Sequence, residues 1–434
     1  MTVTENLSAL PVVIVGAGLA GWTTAREFRK LDASTPIVLI TNDSGDFYAK
    51  PSLSNAFAQA KLPAQLVSTP AARMAETQQV TLLAHTRVTA IDTAHKTLQL
   101  SGQDGNPSTL AFRDLVLATG AQPIRVPVAG NAAARVQSVN SLDDFAAFHA
   151  DLQAAEADND LKPEVLIVGA GLIGCEFAND LAQGGYAVRV VDPGSRPLAA
   201  LLPAQVSLSL QQALQALGVR FYFGTTLSTL ELVEGSAPSA SSSESVAAGE
   251  LASQTGRLRA TLADGETFTA SVVLSAVGLR ADTSLAQAAG LQVDRGIVVD
   301  KHLRTSAAHV YALGDAAQYA SAPSGLSAYG STLPYVMPIM NAAKALAAAL
   351  AGNACELVFP LMPVSIKTPA LPLVVAAARP GLAGGWQASE SGQSADAAPG
   401  GIWHWLDEAG LVRGFVLAGA QTAQRMAQSK LVTL

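Results

Sequence analysis

The clearest pattern in the sequence is an apolar run, then closely spaced glycines, then apolar residues at helical spacing. It occurs twice, over residues 12–43 and over residues 166–192. Each apolar run is long enough for a strand buried on both faces, and each copy ends with a second such run beside an acidic residue. The pattern predicts two βαβ units of the dinucleotide-binding kind.

The second copy has the spacing G-x-G-x-x-G directly after its first apolar run. Gly169 permits a tight turn, Gly171 lets backbone approach a pyrophosphate, and Gly174 lets the helix pack closely on the strand. The free N–H groups of the helix then point at the phosphates. Asp192 is placed to accept a hydrogen bond from a ribose 2′-OH, and its charge repels a 2′-phosphate, so NADH is expected over NADPH. Arg196 weakens that preference without reversing it.

The first copy carries the same glycine spacing with a less regular acidic residue. Gly16, Gly18 and Gly21 follow the apolar run, but the first carboxylate after the second run is Asp43, one position later than usual. The Asn42 amide and the Asp43 carboxylate both remain candidates for binding a ribose.

Further patterns predict the elements between and after the two copies. Strands that end in glycine turns are expected at 115–120 (LVLATG) and 310–315 (VYALGD), and a helix over much of 140–162. After Lys50 and Pro51 we expect a helix capped by Ser52 or Ser54.

Alternation and low complexity mark the rest of the chain. Alternating apolar positions at 364–375 and 402–419, with a DEAG turn, predict a hairpin-rich C-terminal sheet. The Ser/Ala/Gly-rich stretch 234–256 is expected to be a mobile surface insertion, and 318–332 and 388–400 are two further polar insertions.

Composition narrows the class of protein. The 434 residues carry a net charge of −7 and no basic cluster, so nucleic-acid binding is not expected. No apolar run is long enough to span a bilayer and residues 1–11 do not resemble a signal peptide, which favours a cytoplasmic protein. Cys175 and Cys355 form no C-x-x-C, and the histidines lack ligand spacing, so neither a redox disulfide nor a metal site is expected. Cys175 is interpreted as a small packed residue.

Two dinucleotide units, an ATG turn and a strand ending in Gly-Asp together resemble the FAD-dependent pyridine nucleotide-disulphide oxidoreductase superfamily. The resemblance implies an α/β fold with two Rossmann-like domains, for FAD and for NAD, plus a small C-terminal α+β domain. It implies an FAD-binding domain at 1–125 and 280–350, an NAD-binding domain at 126–279 with the insertion 234–256, and a C-terminal domain at 351–434. The chain departs from the superfamily at one point: a proline usually follows the glycine equivalent to Gly278 by two or three positions, and this chain has Ala281 there.

The absence of a cysteine pair after the first βαβ unit, together with four sequence strings, narrows the resemblance to one branch of the superfamily. Where the disulfide reductases carry a cysteine pair, this chain has AKPSLS, as in the cysteine-free branch of the superfamily. The strings FYAKPSLS, GLIGCEFANDLAQGGY, YVMPIMNAAKALA and IKTPALPLVV resemble the bacterial rubredoxin–NAD(+) reductases, in which a Met is common at the position of Ser52. The resemblance implies electron transfer from NADH through FAD to rubredoxin, and an association with alkane degradation or oxygen-stress electron chains.

The resemblance also implies which residues form the site. Lys50 and Glu176 are the candidate catalytic residues, the first beside the flavin and the second near the nicotinamide, while Lys367 approaches the flavin from the C-terminal domain. The remaining candidate cofactor contacts, beyond the two glycine motifs, Asp43 and Asp192, are Pro51, Val88, Thr119, Gly120, Arg125, Gly278, Gly314, Asp315 and Val336.

Two other functions stay open at the level of sequence. The motifs for FAD and NAD do not specify the acceptor, so a reductase of another small redox protein such as ferredoxin, or an NADH oxidase, is the alternative enzyme. A flavin-bearing signalling or scaffold protein is the alternative of another class. The sequence does not determine the oligomeric state, with a monomer slightly favoured.

Overall fold

The computed structural model describes residues 10–103, 105–157, 162–233, 256–320, 332–379, 381–389 and 400–433. The predicted insertion at 234–256 lies outside these residues except for its last position. Most of the polar segments 318–332 and 388–400 also lies outside them.

The first third of the chain alternates between buried parallel strands and partly exposed antiparallel ones. Its elements are β1 (Val12–Val15), α1 (Leu19–Leu31), β2 (Ile37–Ile40), β3 (Phe47–Tyr48), β4 (Val67–Thr69), α2 (Ala71–Gln78), β5 (Thr81–Leu83), β6 (Arg87–Asp92), β7 (Thr97–Ser101), β8 (Pro107–Ala111), β9 (Asp114–Leu117), β10 (Ala121–Pro123) and β11 (Val136–Gln137). Short 3-10 helices lie at Lys50–Ser52, Pro63–Leu66 and Ala133–Arg135.

The middle of the chain repeats the alternation of strand and helix. Its elements are α3 (Leu142–Ala157), β12 (Glu164–Val168), α4 (Leu172–Gln183), β13 (Ala187–Asp192), α5 (Ala204–Ala216), β14 (Arg220–Phe223), β15 (Leu227–Leu232), β16 (Leu258–Leu262), β17 (Thr267–Ala270), β18 (Val272–Ser275), β19 (Leu279–Ala281), α6 (Ser284–Ala288), β20 (Ile297–Val298), β21 (Val310–Ala312) and β22 (Ala317–Gln318).

The last part contains one long helix and the C-terminal strands. Its elements are α7 (Val336–Leu350), β23 (Val364–Ile366), β24 (Leu373–Ala376), β25 (Gly384–Ala388), β26 (Gly401–Asp407), β27 (Val412–Ala418) and α8 (Arg425–Ser429), with 3-10 helices at Gly314–Ala316 and Gly419–Gln424.

Two parallel sheets confirm the predicted pair of βαβ units. The first has the strand order β21-β9-β1-β2-β5 and the second the order β11-β18-β12-β13-β14. In both, the strand before the glycine loop lies in the middle and is almost wholly buried, as its unbroken apolar run predicts. Because carboxyl ends of parallel strands meet at one edge, each glycine loop lies at the edge where such folds bind ligands.

The C-terminal strands form an antiparallel sheet of order β23-β24-β27-β26-β25, which confirms the predicted hairpin-rich sheet. The DEAG turn joins β26 to β27, where Asp407 accepts hydrogen bonds from the N–H groups of Ala409 and Leu411. The α/β architecture with a small C-terminal α+β part is therefore as expected. Across the described ranges, no helix combines the length and the apolar composition needed to cross a membrane.

One apolar core combines distant parts of the chain. Leu53 and Phe57, which follow the first βαβ unit, pack with Phe145 of α3 and Phe177 of α4, and the same core reaches Val416 of β27. The segment after Lys50 therefore leaves the first sheet and packs against the second sheet and the C-terminal sheet.

Candidate functional site

The first glycine loop is built by close backbone approach. Gly16 has φ +112°, and a Cβ there would lie 2.2 Å from the carbonyl oxygen of Ala118. A Cβ on Gly21 would lie 1.9 Å from the carbonyl oxygen of Gly16, so the helix packs on the loop only because both are glycine. At Gly18 no described atom lies within 4 Å of an added Cβ, and α1 starts there without a side-chain cap. This open, uncapped helix N-terminus fits a pyrophosphate.

The second glycine loop has the same construction. Gly169 has φ +109°, and its Cβ would lie 2.8 Å from the carbonyl oxygen of Ala276. The Cβ of Gly174 would lie 1.9 Å from the carbonyl oxygen of Gly169, whereas that of Gly171 would meet nothing described within 4 Å. Helix α4 begins at this loop, again with no side-chain cap among the described residues. The chain thus has two sites of the same kind.

The Asp192 carboxylate is fixed at the edge of the second glycine loop. Its Oδ2 accepts a hydrogen bond from Ala170 N at 2.7 Å, and its Oδ1 accepts one from Gly194 N at 2.6 Å. Arg196 reaches the carbonyl oxygen of Ala199 at 3.4 Å. The two hydrogen bonds of Asp192 tie the glycine loop to the end of β13, where Asp192 was expected from the sequence.

The corresponding residues in the first unit form a turn. Asp43 Oδ1 accepts hydrogen bonds from Thr41 Oγ1 at 2.6 Å and from Gly45 N at 2.9 Å, whereas Asn42 is exposed. Thr86 N donates to the carbonyl oxygen of Thr41, which brings the chain leading into Val88 of β6 beside this turn.

Asp315 has one buried carboxylate oxygen without a hydrogen-bond partner among the described residues. It follows Gly314, which has φ +75° and whose Cβ would lie 3.0 Å from Cβ of Ala20 in α1. Asp315 Oδ1 is buried and makes no hydrogen bond within the described ranges. Burial raises the pKa of Asp315, and the charge of Lys50 opposes that rise. Because buried polar atoms in folded proteins are normally satisfied, this oxygen fits a ligand hydroxyl such as one of a flavin ribityl chain.

Lys50 lies close enough to Asp315 for the two charges to influence each other. Its Nζ donates to Asn140 Oδ1 at 3.1 Å, and Asn140 Nδ2 in turn donates to the carbonyl oxygen of Ala121 at 2.8 Å. The side chain keeps solvent access on its open side, but protein atoms crowd its other sides. This desolvation lowers the pKa of Lys50, and the negative charge of Asp315 is the strongest influence that opposes the shift.

The expected helix after Lys50 is absent from the described chain, and that prediction was wrong. Residues Lys50–Ser52 form a 3-10 turn with Ala49 as its N-cap and no side-chain cap bond. The Ser54 hydroxyl instead donates to Glu176 Oε2 at 2.7 Å. A partner 122 positions away satisfies the serine that would otherwise have capped a helix.

Glu176 joins three distant parts of the chain. Its side chain is 1% exposed, and its Oε2 lies 2.6 Å from Nζ of Lys367. Its Oε1 accepts a hydrogen bond from Lys367 N at 2.9 Å. Lys367 Nζ also donates to Ser54 Oγ at 2.8 Å and to the carbonyl oxygen of Pro51. The structure therefore brings together Pro51, Glu176 and Lys367, and it separates Lys50 from this ion pair by placing it on Asn140.

Loss of this buried ion pair should destabilise the protein. We expect Lys367→Met to lower the free energy of unfolding by about 3 kcal/mol, because it leaves the buried Glu176 carboxylate without its cation. The matched control is Lys301→Met, which breaks an exposed pair with Glu356 and should leave stability almost unchanged, because surface ion pairs contribute little. Denaturant unfolding of both FAD-loaded variants measures the difference, and equal values would contradict the role of the pair.

Four residues of this region were not anticipated as site residues from the sequence: Ser54, Asn140, Asn179 and Asp180. Asn179 Oδ1 accepts from Ala370 N at 3.0 Å, beside Lys367. Asp180 accepts from the N–H groups of Ala56, Phe57 and Ala58. For Asn179 and Asp180 the available signal was their spacing from Glu176, which places the three polar residues on one face of an otherwise apolar helix.

The other predicted site residues lie around the link between the two parallel sheets. Thr119 Oγ1 donates to the carbonyl oxygen of Asp282 at 2.8 Å, and Gly120 accepts from Asp282 N at 3.0 Å. Strands β10 and β19 pair in this link. Gly278, with φ +121°, accepts from Ile124 N there, next to the exposed Arg125.

The remaining residues to place are Val336 and the two cysteines. Val336 is the first residue of α7, whose N-terminus has no side-chain cap in the part of the chain that is described. Both cysteines are unpaired. Cys175 is fully buried, and burial raises the pKa of its thiol well above the usual range, which agrees with its interpretation as a packed residue.

Comparison with known proteins identifies the family. Residues 10–347 match the family described as pyridine nucleotide-disulphide oxidoreductase, and residues 356–432 match the rubredoxin binding C-terminal domain. The chain belongs to the pyridine nucleotide-disulphide oxidoreductase family. It is 40% identical to the rubredoxin–NAD(+) reductase of Alcanivorax borkumensis, over 97% of this chain and 98% of that protein.

Two further similarities extend this comparison. A nitric oxide reductase FlRd–NAD(+) reductase of Aeromonas salmonicida is 36% identical over 97% of this chain and 96% of its own length. Among solved structures, the covalent putidaredoxin reductase–putidaredoxin complex superposes with a TM-score of 0.80 at 24% identity, covering 99% of this chain and 94% of that one. The structural similarity supports the shared fold.

Proposed function

We propose that the chain transfers electrons from NADH through FAD to rubredoxin. The observation that carries the proposal is the combination of two open, uncapped glycine loops with a C-terminal segment that matches a rubredoxin-binding domain. Similarity to a rubredoxin–NAD(+) reductase over nearly the whole of both chains supports the same acceptor.

The proposed FAD site lies at the carboxyl edge of the first parallel sheet. We assign to it the first glycine loop, Asp43, Lys50, Pro51, Val88, Thr119, Gly120, Arg125, Gly314, Asp315 and Val336. The unpartnered Asp315 oxygen and the open space at Gly18 support this assignment. The proposed NADH site consists of the second glycine loop, Glu176, Asp192 and Gly278, with Lys367 between the two cofactors.

When bound, FAD supplies the conversion of a two-electron hydride into single electrons that an iron centre can accept. The protein contributes position and charge. Lys50 holds a positive charge where negative charge develops on reduction, in surroundings that exclude part of the solvent. Glu176 holds Lys367 and Ser54 in one arrangement, which ties the start of α4 to the segment after Lys50 and to the C-terminal part of the chain. The transfer requires no nucleophile or general base.

The domain boundaries and the cellular location remain part of the proposal. We assign 1–125 with 280–350 to FAD, 126–279 to NAD and 351–434 to the C-terminal domain. Position 351 falls between the two family matches, which end at 347 and begin at 356. We propose that the protein acts in the cytoplasm, where NADH is available.

Comparing acceptors tests the proposed function. With NADH in excess, we expect turnover with rubredoxin to exceed turnover with ferredoxin, oxygen or the nitric oxide reductase FlRd. Stopped-flow bleaching of the flavin by NADH, measured without acceptor, serves as the control for the first half of the reaction. Rapid bleaching with faster turnover of another acceptor would contradict rubredoxin as the partner. Very slow bleaching would favour a signalling or scaffold protein.

A further inference from the structure

Helix α4 carries a buried polar face that points away from its own sheet. Glu176, Asn179 and Asp180 are 1%, 1% and 2% exposed. A buried polar face on a helix is unfavourable unless each group is paired, and each of these three side chains accepts hydrogen bonds from groups outside the second βαβ unit. Asp180 differs from the other two because all its hydrogen-bond donors among the described residues are backbone amides.

Asp180 holds the segment that follows Lys50. Its Oδ2 accepts hydrogen bonds from Ala56 N at 2.8 Å and Phe57 N at 2.9 Å, and its Oδ1 accepts one from Ala58 N at 3.0 Å. Burial raises the pKa of Asp180, and the three N–H donors oppose that rise. A carboxylate with two acceptor oxygens is well suited to bind three adjacent N–H groups.

The bound amides are connected to Lys50 by a short series of turns. Leu53 N donates to the carbonyl oxygen of Lys50 at 3.0 Å, and Asn55 N donates to that of Ser52 at 3.2 Å. At the other end, the Phe57 ring is packed among Phe145, Phe148 and Tyr186. The backbone between Lys50 and Phe57 therefore has little freedom to move while Asp180 holds its amides.

We propose that Asp180 is a positioning residue for Lys50: it binds the amides of 56–58 and so fixes the lysine beside the flavin. Asn140 restrains only the tip of the lysine side chain, whereas Asp180 restrains the backbone that carries it. The helix that begins at the NADH loop thus determines the charge position at the flavin. This inference rests on the proposed placement of Lys50 in the FAD site.

The variant Asp180→Asn tests the proposal with little change in shape. Asn has one carbonyl oxygen, and its NH2 group, which is a donor, would face a backbone N–H from which it cannot accept a hydrogen bond. We expect faster hydrogen exchange of the 56–58 amides, a more negative flavin reduction potential, and flavin bleaching by NADH slower by about tenfold, with NADH affinity unchanged. The matched control Asp300→Asn, at an exposed carboxylate that accepts from His302 N and Arg304 N, should change none of these.

A double-mutant cycle that combines Asp180→Asn with Lys50→Met distinguishes an effect through Lys50 from a general loosening of the segment at 50–58. If Asp180 acts through Lys50, Asp180→Asn should shift the potential in the wild-type background but not in the Lys50→Met background. Equal shifts in both backgrounds, or fast exchange at 56–58 with a wild-type potential, would overturn the inference. If Asp180→Asn does not fold, Phe57→Leu loosens the same segment and enters the same cycle.

The proposed function and this inference fail in different ways. If Lys50→Met had a wild-type flavin reduction potential and bleaching rate, Lys50 would not lie beside the flavin, and its proposed placement would be refuted. A changed Lys50→Met variant beside an unchanged Asp180→Asn variant would refute the inference alone. Hydrogen exchange of the 56–58 amides reports on Asp180 independently of any acceptor.

Discussion

Gly171→Ala should raise the KM for NADH about 100-fold, which corresponds to about 2.8 kcal/mol, and leave FAD content unchanged. The backbone at Gly171 has φ −75°, which alanine adopts without strain. The added Cβ meets no described atom within 4 Å, so the protein should fold normally. The methyl group would occupy space that the pyrophosphate needs at the start of α4. Steady-state kinetics, with FAD content from the absorption spectrum, measures both quantities.

Two other glycines serve as controls for this result. Gly18→Ala is the equivalent change in the first loop and should lower FAD content while leaving the second loop intact. Gly174→Ala should prevent correct folding of the second unit, because its Cβ would lie 1.9 Å from the carbonyl oxygen of Gly169. An unchanged KM for NADH in Gly171→Ala would show that the pyrophosphate does not bind at this loop.

Asp192→Ala should lower the ratio of kcat/KM for NADH to kcat/KM for NADPH about 100-fold. Two separate effects contribute to this change. NADPH use should rise, because the carboxylate no longer repels a 2′-phosphate. NADH use should fall, because the ribose hydroxyl loses its acceptor and the amides of Ala170 and Gly194 lose theirs. The measurement is kcat/KM for each nucleotide.

Arg196 provides the control for nucleotide choice. In an Asp192→Ala background, Arg196→Gln should reduce the gained NADPH use, since Arg196 follows Asp192 by four positions and its guanidinium can bind a 2′-phosphate. A wild-type protein that already prefers NADPH would assign the choice to Arg196 and contradict the prediction for Asp192.

Local sequence patterns predicted the two parallel sheets and the glycine loops because strand, loop and helix are adjacent in the chain. The run VVIV before the glycines favours a strand buried on both faces, and Gly21 is required because its Cβ would meet the carbonyl oxygen of Gly16, five residues earlier. The antiparallel C-terminal sheet was predictable for the same reason, since its hairpin turn at 407–410 is local.

The contacts of the site itself were less predictable, because they join residues far apart. Ser54 binds Glu176 across 122 positions, and Lys367 binds Glu176 across 191. Family resemblance indicated Glu176 and Lys367, but it did not indicate that they pair with each other. Local reasoning assigned Ser54 to a helix cap, because a serine after a turn usually binds the nearest amides. Only the folded chain shows that a buried carboxylate competes for its hydroxyl.

The shared core around Phe57 has a consequence for how the protein is made. Leu53 and Phe57 leave the ribosome well before Phe145 and Phe177, and long before Val416, with which they share a core. The first parallel sheet is likewise incomplete until its edge strand β21 has been synthesised and pairs with β9. The N-terminal part of a growing chain therefore carries apolar side chains without their final partners until almost all of the protein has been synthesised. A chain whose translation stops early should be bound by chaperones or degraded by proteases, because its N-terminal part cannot fold by itself.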